Sequence, residues 1–291
     1  NQYIEKGLYP GAEWKVMQKE KVFQGKAGCL NLLTGKPFLS NSLYRIWSMT
    51  KPIVSVVILQ LIEEQKIHLD DAITNFLPQF LNLKVLEYNN SDISNVVDIK
   101  NMPTIKDLLS HTAGFSYNFL GDAVAKEYDR VGLFNSSDTT LEEEINLLST
   151  IPLLHQPSTK WVYSVSVDVL ARIIEIVTEE SLQTQLEKRI FKPLGMQDTG
   201  FSVTPENLHR LMTSYEFDPL HKKLNDPSSS PQQIGEIGYP TNISTYARGG
   251  HGLFSSLEDY SKFAQMLLTG KTKTGTKIIS DSMLKMATTN H

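Results

Sequence analysis

Tyr44-Arg45-Ile46-Trp47-Ser48-Met49-Thr50-Lys51-Pro52-Ile53 is the stretch on which the reading of this chain turns. Ser48 and Lys51 stand three residues apart, just ahead of an apolar run of Ile53, Val54, Val56, Val57, Ile58, Leu59, Leu61 and Ile62. The run predicts a helix from Ser48 to Gln65. Pro52 fits it, because a proline in the first turn removes no helical hydrogen bond. Residues three apart share one face of a helical turn, so the Lys51 amine can reach the Ser48 hydroxyl. A serine hydroxyl becomes a useful nucleophile only when an adjacent base takes its proton. Lysine is such a base when burial or neighbours pull its pKa toward neutrality. The apolar run predicts that burial. The stretch therefore points to a serine acyl-transfer enzyme with a lysine base.

The tetrad alone is a common pattern, and Ser282-Met283-Leu284-Lys285 repeats it near the end of the chain. The second copy reads as a solvated helix face. The rest of the chain has to supply the chemical partners of the first.

Composition narrows the field. The chain has 291 residues, 40% of them hydrophobic, which suffices for a sizeable core and argues against disorder. A net charge of -4 without a long basic run argues against a nucleic-acid partner. The single cysteine, Cys29, excludes an internal disulfide framework and a cysteine-based zinc site. The seven histidines are scattered, so no metal is expected, and no glycine-rich phosphate loop announces a nucleotide or other cofactor. No stretch is long and apolar enough to predict a transmembrane helix. The sequence opens on Asn1 without a leader pattern, which leaves cytoplasm and periplasm both open.

Strand-like alternation over residues 12–18 and 21–28, joined at Lys19-Glu20, predicts a hairpin. Residues 87–103 read as an exposed loop rich in Asn, Ser and Asp. Thr104 reads as the cap of a short helix that ends before His111. Further helices are expected over 139–149, over 166–191 as one long stretch, and over 256–269. Residues 218–235 read as an irregular loop. Strands near the start with helices through the middle give an α+β pattern.

Three other places carry possible chemistry. Tyr163, in Tyr163-Ser164-Val165-Ser166, sits where a loop meets a helix. Its hydroxyl can enter a cleft and relay a proton, although a packed tyrosine is the commoner case. His111 follows a helix end, where an imidazole is electrostatically favoured without any catalytic task. Gly249-Gly250-His251-Gly252 is a loop built for close backbone approach, and it borders a pocket or caps the helix that follows.

Together these pieces resemble the serine β-lactamase-like superfamily, which includes class C β-lactamases, family VIII carboxylesterases, related transesterases, D-amino-acid peptidases and penicillin-binding-like proteins. The resemblance covers nearly the whole chain. It runs through the nucleophile helix (Tyr44 to Leu69), the segment Thr104 to Phe115, the tyrosine segment Trp161 to Thr199 and the segment Gly249 to Phe263. It implies a β-lactamase/transpeptidase-like fold: an antiparallel sheet flanked by helices, with a helical subregion over 70–245 inserted in a single domain. It implies Ser48 as the acylated nucleophile, Lys51 as its base and Tyr163 as the proton relay. The Ser48 N–H would form half of an oxyanion hole. Val165, Gly250 and His251 fall where substrate would bind.

Two departures shape the expected activity. Class C enzymes carry an asparagine where this chain has Val165, which favours a small carboxylic ester over a lactam. The family also ends in sheet strands bearing a third motif. Lys273-Thr274-Gly275 comes too early for that motif and reads as a surface turn. The last strands are therefore expected to be missing from these 291 residues, leaving the hairpin edge open and the active site incomplete. The alternatives to an esterase are a class C-like β-lactamase or D-alanyl peptidase, and a non-catalytic penicillin-binding-like interaction protein. The sequence leaves the oligomeric state and the natural substrate open.

Overall fold

A computed structural model of the protein describes residues 2–89, 91–134, 139–225 and 247–290. After a short helix α1 (Gln2–Glu5), β1 (Gly11–Gln18) and β2 (Lys21–Gly28) form the expected antiparallel hairpin. Lys19 takes the left-handed conformation that its tight turn needs, with φ 53°. Strand β3 (Leu43–Arg45) then leads into a tight turn over Trp47–Met49 and into helix α2 (Thr50–Glu63).

Helix α2 is buried on almost every side, from Thr50 and Lys51 through Leu61. A helix apolar all round belongs at the centre of a fold. The surrounding chain runs through β4 (Lys84–Leu86), β5 (Val96–Asp98), α3 (Ile105–Leu109), α4 (Ala123–Val131) and α5 (Leu141–Leu148). It continues through α6 (Ser166–Thr178), α7 (Leu182–Leu186) and α8 (Lys192–Leu194). Of these, α6 and α7 pack directly on α2. Two short strands follow, β6 (Phe217–Asp218) and β7 (Lys223–Leu224). Strand β8 (Phe254–Ser256), α9 (Leu257–Thr269) and α10 (Asp281–Ala287) complete the described chain.

The α+β reading holds, but the antiparallel pairing among the described residues is carried by four two-stranded pairs. The first hairpin pairs only within itself there, with Trp14, Val16, Val22 and Phe23 exposed. Three expectations need correction. The helix over 166–191 is broken: Glu179 turns left-handed at φ 55°, and the Ser181 side chain caps a new helix by accepting from the Thr184 N–H. Within 87–103, Val96–Asp98 pairs with β4. Of the loop over 218–235, residues 218–225 hold parts of β6 and β7, and the remainder lies outside the described residues.

One long-range pairing positions the centre of the molecule. Leu43, Tyr44 and Arg45 pair with Ser256, Ser255 and Phe254, and the Ile46 N–H donates to the Leu253 carbonyl at 3.0 Å. This sets the chain just before Ser48 beside the Gly249–Gly252 turn. A buried ion pair fixes the other side of that turn. Arg248 is 0% and Glu144 3% exposed, with Nη2 and Oε1 3.0 Å apart. The second carboxylate oxygen of Glu144 accepts from the Phe134 N–H at 2.7 Å.

Glu144→Ala removes the counter-charge from a fully buried guanidinium, and such losses cost about 3–5 kcal/mol. Urea unfolding of this variant is expected to show a loss of that size. A change below about 1 kcal/mol, the range of a surface pair, would contradict it.

Candidate active site

Ser48 sits in the tight turn ahead of α2 and is exposed, whereas Lys51, one turn on, is only 7% exposed. The residue before the serine is strained: Trp47 has φ 45°, a left-handed conformation that costs a bulky residue about 1–2 kcal/mol. The turn is held by the Met49 N–H on the Ile46 carbonyl at 2.9 Å and by the Tyr260 hydroxyl on the Met49 carbonyl at 3.0 Å.

The Lys51 amine has three polar neighbours. Its Nζ lies 3.2 Å from the Ser48 Oγ, 3.2 Å from the Tyr117 hydroxyl and 2.6 Å from the Gly250 carbonyl oxygen. Two aromatic faces complete its surroundings, with Nζ 5.0 Å from the Tyr117 ring centroid and 4.7 Å from that of Tyr163. Ring faces attract a cation and replace part of its lost hydration. With three neighbours on a tetrahedral nitrogen, an ammonium can donate to all three. A neutral amine can instead donate to Gly250 and Tyr117 and turn its lone pair to the Ser48 hydroxyl.

Two tyrosines reach this lysine because two segments run side by side. The Val162 N–H donates to the His111 carbonyl at 3.0 Å, and the Val165 N–H to the Ser116 carbonyl at 3.2 Å. Tyr117 and Tyr163 consequently stack, with centroids 5.5 Å apart. His111 latches the pair: its Nδ1 accepts from the Ser164 N–H at 3.2 Å, which puts the ring proton on Nε2. Burial, assisted by the nearby Lys51 charge, pulls the His111 pKa down to about 4. His111 is thus a neutral structural imidazole, as the plainer reading of its position implies.

The Gly249-Gly250 turn fits where larger residues would collide. A Cβ on Gly249 would meet the Val167 carbonyl oxygen at 2.2 Å. A Cβ on Gly250 would meet the Asp168 Oδ2 at 2.4 Å and the Tyr117 hydroxyl at 2.5 Å. The Gly250 N–H donates to the Asp168 Oδ1 at 2.9 Å. Gly250, read from the sequence as a substrate contact, thus has its carbonyl against the lysine amine. His251, next along, faces the cleft beside Trp47, and burial pulls its pKa down to about 4.

A cavity of 420 Å³ opens at Ser48. Tyr128, Leu133, Phe134 and Val165 give it apolar walls, and Trp47 and Phe119 stand exposed at its edge. The structure thus places Ser48, Val165 and His251 on the wall of one cleft, with Lys51 behind Ser48 against the Gly250 carbonyl and the face of the Tyr163 ring. It sets aside the second tetrad, whose Ser282 and Lys285 are exposed on α10, and Lys273-Thr274-Gly275, an exposed turn. Among the described residues, no group of acidic, cysteine and histidine side chains is arranged to hold a metal. Sequence reasoning missed Tyr117, because nothing local distinguishes it. It missed Asp168, whose position in the first turn of α6 reads as an ordinary acidic helix start.

The family model described as Beta-lactamase matches residues 1–290. Protein Rv1367c of Mycobacterium tuberculosis is 30% identical over 286 residues, which cover 98% of this chain and 68% of that protein. Esterase EstB of Burkholderia gladioli is 29% identical over 251 residues, covering 82% of this chain and 60% of the esterase. Among solved structures, EstCE1, a hydrolase with promiscuous acyltransferase activity, superposes with a TM-score of 0.77 at 26% identity, covering 97% of this chain and 73% of that one.

Gly250→Ala should force the turn off Lys51. A misplacement near 1 Å at a reacting group costs about 100-fold in rate, and a fall of that order in kcat with little change in KM is expected. Retention of wild-type kcat would show that the turn does not hold the amine. A second expectation concerns acid. His111 and His251 bind a proton near pH 4 when folded but at their ordinary value of 6.5 when unfolded. The unfolded chain therefore takes up more protons between these values. Their contribution to stability is complete above pH 6.5 and is lost as pH falls toward 4. His111→Asn keeps an acceptor for Ser164 and should flatten the decline in Tm over this window. A parallel decline in both proteins would contradict the assignment.

Proposed function

This chain belongs to the beta-lactamase family, and from that premise we propose that it is a serine hydrolase that cleaves small carboxylic esters through an acyl-enzyme on Ser48. The observation that carries the reading is the Lys51 amine held 3.2 Å from the Ser48 hydroxyl in an almost dry setting. In the reactive state the amine is neutral and takes the serine proton as Oγ attacks the ester carbonyl. The oxyanion then forms near the Ser48 N–H at the start of α2, where the helix dipole is positive. The proton passes to the departing alkoxide by way of Tyr163, with the Tyr117 hydroxyl, 3.2 Å from Nζ, a second route. The alcohol leaves, and a water molecule repeats the sequence on the acyl-enzyme.

The choice of ester over lactam rests on Val165. Fully buried, it brings an apolar wall to the cavity where an amide side chain would be needed to hold a polar lactam substituent. The apolar walls suit a short acyl chain. The name of one relative, esterase EstB, agrees with this choice.

Side-by-side assays of p-nitrophenyl butyrate and nitrocefin test the proposal. Ester turnover is expected to exceed nitrocefin turnover by a wide margin and to fall at least about 1000-fold in Ser48→Ala. Tyr163→Phe and Tyr117→Phe should each lower kcat more than they raise KM. Efficient nitrocefin hydrolysis would overturn the ester reading, and full ester turnover in Ser48→Ala would overturn the nucleophile.

A further inference from the structure

We propose that Asp168 is the positioning residue of the catalytic lysine: through its hold on the Gly250 N–H it presents the Gly250 carbonyl to Lys51 and so fixes the amine against Ser48. The inference rests on the serine-hydrolase reading above. It starts from a carboxylate that the mechanism does not otherwise use. Asp168 is 0% exposed. One oxygen accepts from the Gly250 N–H at 2.9 Å, and the same glycine's carbonyl accepts from Lys51 Nζ at 2.6 Å. One peptide unit thus joins a buried carboxylate to the buried amine. The other oxygen, Oδ2, is buried without a hydrogen-bond partner and faces the space beside Gly250 that the Tyr117 hydroxyl also borders.

Burying a carboxylate is costly unless a positive charge or strong donors compensate it. The first turn of α6 supplies part of that compensation. The charged and titratable groups around the pair are Lys51 on α2, His111, Tyr117 and Tyr163 on the two paired segments, and Arg248 and His251 beside the glycine turn. Arg248 is matched by Glu144. His111 and His251 are neutral above acid pH. Lys51 and Asp168 act on the same two imidazoles in opposite senses, which sets both charges close to the glycine turn. A nearby negative charge favours the ammonium form of the lysine. Asp168 accordingly does two things at once. It fixes where the amine is, and it sets a negative charge on the far side of the same peptide unit.

Asn and Ala at position 168 separate these effects. Asp168→Asn keeps a carbonyl oxygen for the Gly250 N–H and removes the charge. The acid limb of kcat/KM for p-nitrophenyl butyrate is expected to move about one pH unit lower, with KM near the wild-type value. Asp168→Ala also loses the clamp and should lower kcat about 100-fold. Labelling of Ser48 by a fluorophosphonate, read by mass spectrometry, accompanies each protein. Absence of Ser48 labelling in the wild type would overturn the serine-hydrolase reading. Labelling with an unshifted acid limb in folded Asp168→Asn would overturn the proposal for Asp168 alone. Should Asp168→Ala fail to fold, the Asn variant decides.

Discussion

Everything at the centre of this molecule follows from keeping a lysine amine dry beside a serine hydroxyl. In water the amine would be protonated at neutral pH and useless as a base. Helix α2 carries Lys51 into the core on a segment apolar on nearly all sides. Fixed groups surround the amine there. A carbonyl, two hydroxyls and two ring faces take the place of water. They belong to Ser48, Tyr117, Tyr163 and Gly250, spread along the chain, so the site exists only when the whole core has formed.

The strands and turns serve that arrangement. Pairing of β3 with β8 brings residues more than two hundred positions apart into register and sets Ser48 beside the glycine turn. The turn can approach because Gly249 and Gly250 carry no Cβ to meet Val167, Asp168 and Tyr117. The stacked tyrosines depend on backbone bonds between the segment after α3 and the segment before α6. The strain at Trp47 is the counterpart of this order. A left-handed aromatic residue persists where neighbours on both sides are tied down.

Much of this was legible from the sequence, and what was not has a physical reason. The hairpin, α2, the Thr104-capped helix and α9 each announce themselves by local periodicity and caps. The family resemblance of ordered blocks is now matched along residues 1–290. The break at Glu179 was hidden because Thr178-Glu179-Glu180-Ser181 continues a helical composition, and only the Ser181 cap marks the restart. Helix α4 was not among the helices expected from the sequence, although Asp122 caps it and Val124 and Tyr128 lie on its buried face. Tyr117 and Asp168 escaped notice because their chemistry is tertiary. A tyrosine becomes a lysine ligand, and an aspartate a clamp, only through contacts 66 and 82 positions away.

The central claim is a covalent bond to one oxygen. The most direct measurement mixes the protein with p-nitrophenyl butyrate, quenches in acid within milliseconds and maps the acylated peptide by mass spectrometry. The account predicts a butyryl group on Ser48, formed with a burst of p-nitrophenol and lost as water completes the cycle. Acylation confined to another residue, or ester turnover with no trapped acyl group and no burst under conditions where deacylation is slowed, would contradict it.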